Sequence, residues 1–81
     1  MLMTYHAKIM DPEALGRVLQ QARLLSGFTQ RELAQQLGVS QRYIWELESG
    51  KPSIALTRLF AAMRATGMSL SAEITTEDQD D

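Results

Sequence analysis

The stretch TQRELAQQLGVSQRYIWELESGK, from Thr29 to Lys51, reads as two short helices joined by a tight turn. Thr29 followed three residues later by Glu32 fits a capping box, in which hydroxyl and carboxylate each satisfy one N–H group left over where a helix begins. A helix should therefore start at Gln30. Leu33, Ala34 and Leu37 recur at the spacing that lays apolar groups along one face, and Gly38 supplies the left-handed backbone that ends a helix at low cost. Ser40 caps the next helix, in which Ile44 and Leu47 are expected to point inward. Gln41, Arg42, Tyr43, Trp45, Glu46 and Ser49 are left partly or wholly outside, so this face is the candidate recognition surface.

Working outward, Asp11 and Pro12 form a helix start, with the aspartate as cap and the proline at the first helical position, where its missing N–H costs nothing. A first helix is predicted from Pro12 to about Ser26, with Leu15, Val18, Leu19, Ala22 and Leu25 on its apolar face and Gly27 at its end. Ser49 to Ser53 is a loop by composition. A further helix is predicted over roughly Ala55 to Ala65, with Leu56, Leu59, Phe60 and Met63 toward the core and Gly67 closing it. Beyond Gly67 the period becomes two: Met68, Leu70, Ala72 and Ile74 alternate with Ser69, Ser71, Glu73 and Thr75, the pattern of a half-buried strand. Met3, Tyr5, Ala7 and Ile9 alternate in the same way. A lone strand cannot satisfy its own backbone groups, and the most economical partner is a second subunit across a twofold axis. Whether the N-terminal strand pairs with the C-terminal one is left open. The expected organisation is an N-terminal extension over residues 1–10, a helical domain over 11–67, a dimerisation strand over 68–75 with Met68, Leu70, Ala72 and Ile74 at the interface, and an acidic disordered tail over 76–81.

The chain of 81 residues carries a net charge of −2. All eight Lys and Arg lie between Lys8 and Arg64, whereas five of the ten acidic residues fall at Glu73 or later, so residues 1–72 hold eight basic against five acidic groups, or +3. Such a modest excess predicts modest nonspecific attraction to a polyanion. A domain this small buries only about 60 to 65 per cent of its unfolded surface, and dimerisation would relieve that marginality. There are no cysteines, which points to a reducing, cytoplasmic setting, and neither a membrane-length apolar run nor a signal peptide is expected. With one histidine, His6, and no cysteine, a metal site lacks ligands. No cofactor is expected. Without a paired histidine or a phosphate-binding Gly-rich loop, no catalytic constellation is expected either. The five methionines are expected as core filler.

The turn, caps and core positions of residues 29–51 resemble the helix-turn-helix of the Cro and phage-repressor class, the Xre family. The similarity rests on the Thr-Gln helix start, Leu-Ala within that helix, Gly-Val-Ser in the turn, Ile44, and Leu-Glu-Ser-Gly-Lys at the exit; it extends more weakly over Asp11 to Met68. It implies a mainly α, lambda-repressor-like domain of four to five helices. The short C-terminal strand, with or without the N-terminal one, would pair across a dimer. Leu56-Thr57-Arg58-Leu59-Phe60 and Gly67-Met68-Ser69-Leu70-Ser71 are similar to HipB-type antitoxins of type II toxin-antitoxin operons, which implies a bacterial or phage homodimer that represses its own operon and binds a HipA-like kinase toxin.

In this motif the N-terminal end of the second helix enters the major groove, which makes Gln41 and Arg42 the base readers, toward adenine and guanine respectively. Glu46, one turn on, either accepts from cytosine, repels a wrong base or is simply solvated. Thr29 and Gln30 open the preceding helix and suit a phosphate; Ser40, Tyr43, Ser49 and Lys51 are further phosphate candidates. Trp45 faces either the fourth helix or solvent. The resemblance also implies a structural ion pair, Arg23 with Glu48, that sets the angle of the reader rather than touching DNA. Three functions stand: a dimeric antitoxin reading an inverted repeat in double-stranded DNA, a stand-alone or phage-type repressor, and a protein-interaction module without DNA binding.

Overall fold

The computed structural model describes residues 2–77. Strand β1 (Leu2–Ile9) is followed by four helices, α1 (Pro12–Leu25), α2 (Gln30–Leu37), α3 (Gln41–Ser49) and α4 (Ile54–Thr66), and then by strand β2 (Leu70–Glu77). Each helix opens on a side chain that accepts from a backbone N–H three residues on: Asp11 Oδ1 from Ala14 at 2.7 Å, Thr29 Oγ1 from Glu32 at 3.0 Å, Ser40 Oγ from Tyr43 at 3.1 Å and Ser53 Oγ from Leu56 at 3.1 Å. The capping box is complete, because the Thr29 N–H also donates to Glu32 Oε1 at 2.9 Å. These local bonds fix where every helix begins.

The strands pair with each other, antiparallel, from Leu2 opposite Glu77 to Ile9 opposite Leu70. Each terminal strand thus finds its partner inside the chain, and one edge of each has no ladder partner among the described residues. The strand differs from the expected 68–75. Met68 and Ser69 precede it, and Thr76 and Glu77, assigned to the tail, are in the ladder opposite Met3 and Leu2. A β-branched threonine with an antiparallel neighbour continues a ladder that alternation alone cannot extend. Residues 78–81 of the expected acidic tail lie outside the described residues.

The core joins a buried cluster under the ribbon to further buried side chains at the helix-turn-helix. Ile9, Phe60 and Met63 are buried together, with Ala14, Leu15, Val18, Leu70 and Ala72 packed around them, so the apolar face of the ribbon closes over α1 and α4. Ile44 and Ala34 are buried where α3 and α2 meet. Helix α1 packs against α3, α4 and the two strands. Leu47 and Leu59, expected inside, are 41 % and 50 % exposed, and of the described methionines only Met63 is buried. Periodicity identifies a face of a helix but not whether a neighbour covers all of it.

Candidate nucleic-acid interface

Helix α3 is held from below by one buried carboxylate. Glu48, in its last turn, accepts from Arg23 of α1 in a two-point contact, Nε to Oε2 and Nη2 to Oε1, the latter at 3.0 Å. The third guanidinium nitrogen, Nη1, donates to the Phe28 carbonyl at 2.9 Å, in the loop between α1 and α2. Gln30, the first residue of α2, donates its amide to Glu48 Oε1 at 3.0 Å. Glu48 therefore ties three helices at one point. Its hydrogen bond from Arg23 above all, aided by Gln30, holds its carboxyl below the usual carboxylate range against the opposing effect of burial, and Arg23 is correspondingly raised. No buried side-chain polar atom among the described residues lacks a partner, which is the condition under which a buried ion pair fixes geometry without an uncompensated desolvation cost.

Two glycines set the distance between α1 and α3. A Cβ on Gly16 would lie 2.5 Å from the Glu48 carbonyl oxygen and 2.7 Å from the Gly50 nitrogen. One on Gly50, which ends α3 with φ of 67°, would lie 2.5 Å from the Glu13 Cα. Backbone meets backbone here. Gly16 escaped the sequence analysis, although a glycine in the second turn of an otherwise regular helix is the available signal of close approach.

The outer face of α3 carries Gln41, Arg42, Tyr43, Trp45, Glu46 and Ser49, all exposed, with Gln41 and Arg42 at its N-terminal end. Trp45, 57 % exposed, faces outward over most of its surface. Arg42 Nε donates to Glu46 Oε1 at 3.4 Å, one turn along the same face. The phosphate candidates divide by what their hydrogens are doing. Thr29 and Ser40 accept from the backbone through their hydroxyl oxygens and keep the hydroxyl hydrogen. Ser49 Oγ instead donates to the Glu46 carbonyl at 2.7 Å; a phosphate oxygen only accepts, so Ser49 offers it nothing in this arrangement. Gln30, drawn to Glu48, retains one amide hydrogen. Lys51 and Tyr43 are exposed at opposite ends of the face.

Of the interface row proposed on the C-terminal strand, Leu70, Ala72 and Ile74 are half-buried on the ribbon face that covers α1, opposite Ile9, Ala7 and Tyr5. Met68 lies outside the strand and is exposed. The chain's own helices thus take up part of the apolar row. Among the described residues no helix is long and apolar enough to cross a membrane, and no group of side chains has metal-binding geometry.

The helix-turn-helix family model matches residues 19–72, which include the whole of α2, the turn and α3. The chain belongs to the Xre-type helix-turn-helix family. It is a DNA-binding regulator rather than an enzyme. Antitoxin HipB of Escherichia coli O6:H1 (strain CFT073) is 31 % identical over 75 residues, covering 88 % of this chain and 80 % of the relative. Antitoxin HipB of Escherichia coli K12 is 30 % identical over 64 residues, covering 79 % and 73 %. No solved structure matches the chain. Every candidate base and phosphate residue named above falls inside the helix-turn-helix match.

Proposed function

We propose that this helix-turn-helix protein is the antitoxin and autorepressor of a type II toxin-antitoxin operon. A homodimer reads an inverted repeat in its own promoter and neutralises a HipA-like kinase toxin. The observation that carries the DNA-reading half is α3, whose exposed Gln41 and Arg42 stand at the end that enters a major groove while Glu48 anchors the helix from beneath. The antitoxin half is supported by the two relatives named antitoxin HipB, aligned over most of this chain. Gln41 and Arg42 discriminate bases; Thr29, Gln30, Ser40, Tyr43 and Lys51 hold phosphates; and the strands form the dimer interface through their unpaired edges.

The test pairs two measurements on the native operon. The protein is copurified with the product of the neighbouring gene, and transcription from the operon promoter is compared with and without the protein. Stable capture of a kinase together with repression is the expected result. Repression without any bound partner would leave a stand-alone repressor, and capture without repression would leave a protein-interaction module, a reading consistent with the net charge of −2.

A further inference from the structure

The contact between Arg42 and Glu46 has an unusual orientation for a helix surface. An i,i+4 pair gains from the helix dipole when the acid precedes the base; here the base comes first, in the opening turn of α3, where the positive end of the helix disfavours a cation. The two side chains are 85 % and 46 % exposed, so in water the pair is weak. Its geometry matters more than its strength. Glu46 Oε1 takes Nε of Arg42 at 3.4 Å, and Nη1 and Nη2 carry no hydrogen bond to protein among the described residues. Those terminal nitrogens are a donor pair suited to the O6 and N7 acceptors of guanine.

We propose that Glu46 is a positioning residue for base recognition. It steadies Arg42 by its Nε with the terminal nitrogens directed to a guanine, and its carboxylate opposes binding to duplexes that offer Arg42 no such base. This inference rests on the DNA-reading function proposed for α3. In solution the contact only biases the arginine, but as the groove closes over the pair water leaves, the local dielectric falls and the attraction grows. On a duplex without the guanine, the same carboxylate faces phosphates and bases while Arg42 lacks its ligand, so the nonspecific complex is weakened. One side chain thereby sharpens the right complex and penalises the wrong one.

The variants Glu46→Ala and Glu46→Gln separate position from charge, because both remove the negative charge while only glutamine keeps an oxygen that accepts from Arg42 Nε. Affinities of the full chain and both variants are measured for the native operator, for every single-base substitution of it, and for an unrelated duplex. The guanine in question is the position at which Arg42→Ala loses its preference. Both Glu46 variants should bind unrelated duplex more tightly than the parent. Glu46→Ala should lose about fivefold or more of the preference at that guanine, the low end of what a bidentate arginine contact supplies, whereas Glu46→Gln should keep it. Identical base profiles for the two variants would overturn the proposal, as would a loss confined to a base that Arg42 does not read. A parent chain with no preferred duplex would instead refute the DNA-reading function itself, a result distinct from both.

Discussion

In the proposed function, Arg42 and Lys51 are two cations of one helix-turn-helix with different roles. Arg42 sits at the N-terminal end of α3 with its fork available, and Lys51 just beyond the C-terminal end as an exposed point charge. Arg42→Ala should lose discrimination at particular base positions, while Lys51→Ala should weaken all duplexes alike and flatten the salt dependence by about one unit. A base-substitution panel with the same profile for both would refute that division. Glu48 makes a different prediction. Its carboxyl is held low by Arg23, so the stability it contributes is present above its ordinary pKa and is lost as pH falls through the depressed folded value. Glu48→Gln should cost about 3 kcal/mol at neutral pH, the low end for breaking a buried pair, and the gap to the parent should narrow below about pH 4.3. Denaturation curves that show the same gap at pH 7 and pH 3 would contradict this. Some of this chemistry was legible in the sequence and some was not. Arg42 and Glu46 are four apart on one helix, a relation that spacing reveals, but Gln30 reaches Glu48 across 18 positions, and only the packing of α2 on α3 brings them together.

At the scale of the elements, the helices were readable because their determinants are local: a cap, an apolar stripe and a closing glycine lie within one segment. The start of α4 is the exception: Ser53 reads as loop by composition, yet its Oγ caps the helix, which begins at Ile54 rather than Ala55. The strands were readable singly, by alternation, but not as a pair. Leu2 meets Glu77 from the far end of the chain, and alternation contains no information about a partner's distance or register. The α1–α3 crossing likewise depends on a contact, Gly16 against the end of α3, that no periodicity reports. Gly16→Ala balances two effects: alanine favours the helix by about 1 kcal/mol, whereas a methyl pressed 2.5 Å from a backbone oxygen that cannot rotate away costs about 1 to 3 kcal/mol in displaced structure. The second should win. A lower melting temperature together with weaker operator binding is expected, since the variant must move the reader; a stabilised variant with unchanged affinity would show that the crossing does not depend on that contact.

The whole molecule is more open than its mass requires. It exposes 6215 Å² with a radius of gyration of 14.4 Å, where a compact monomer of 9.1 kDa exposes about 4900 Å² and 81 residues pack to about 12 Å. The ribbon exposes Met3 and Tyr5, and α4 exposes Ile54 and Leu59. A second copy is the simplest cover for such surface. Removing residues 70–81 deletes β2, bares Ile9, Phe60 and Met63 and leaves β1 without its ladder; sedimentation should then show monomers or aggregates, and a well-folded dimer would exclude the ribbon from the interface. With only +3 of charge over residues 1–72, the proposed operator binding requires two linked reading heads rather than bulk attraction. The most direct test is therefore the affinity for the operon's own inverted repeat, for one isolated half-site and for an unrelated duplex, across a range of salt. The full repeat should bind far more tightly than the half-site and keep that preference as salt weakens all three. Equal affinity for the repeat and the unrelated duplex would contradict the account.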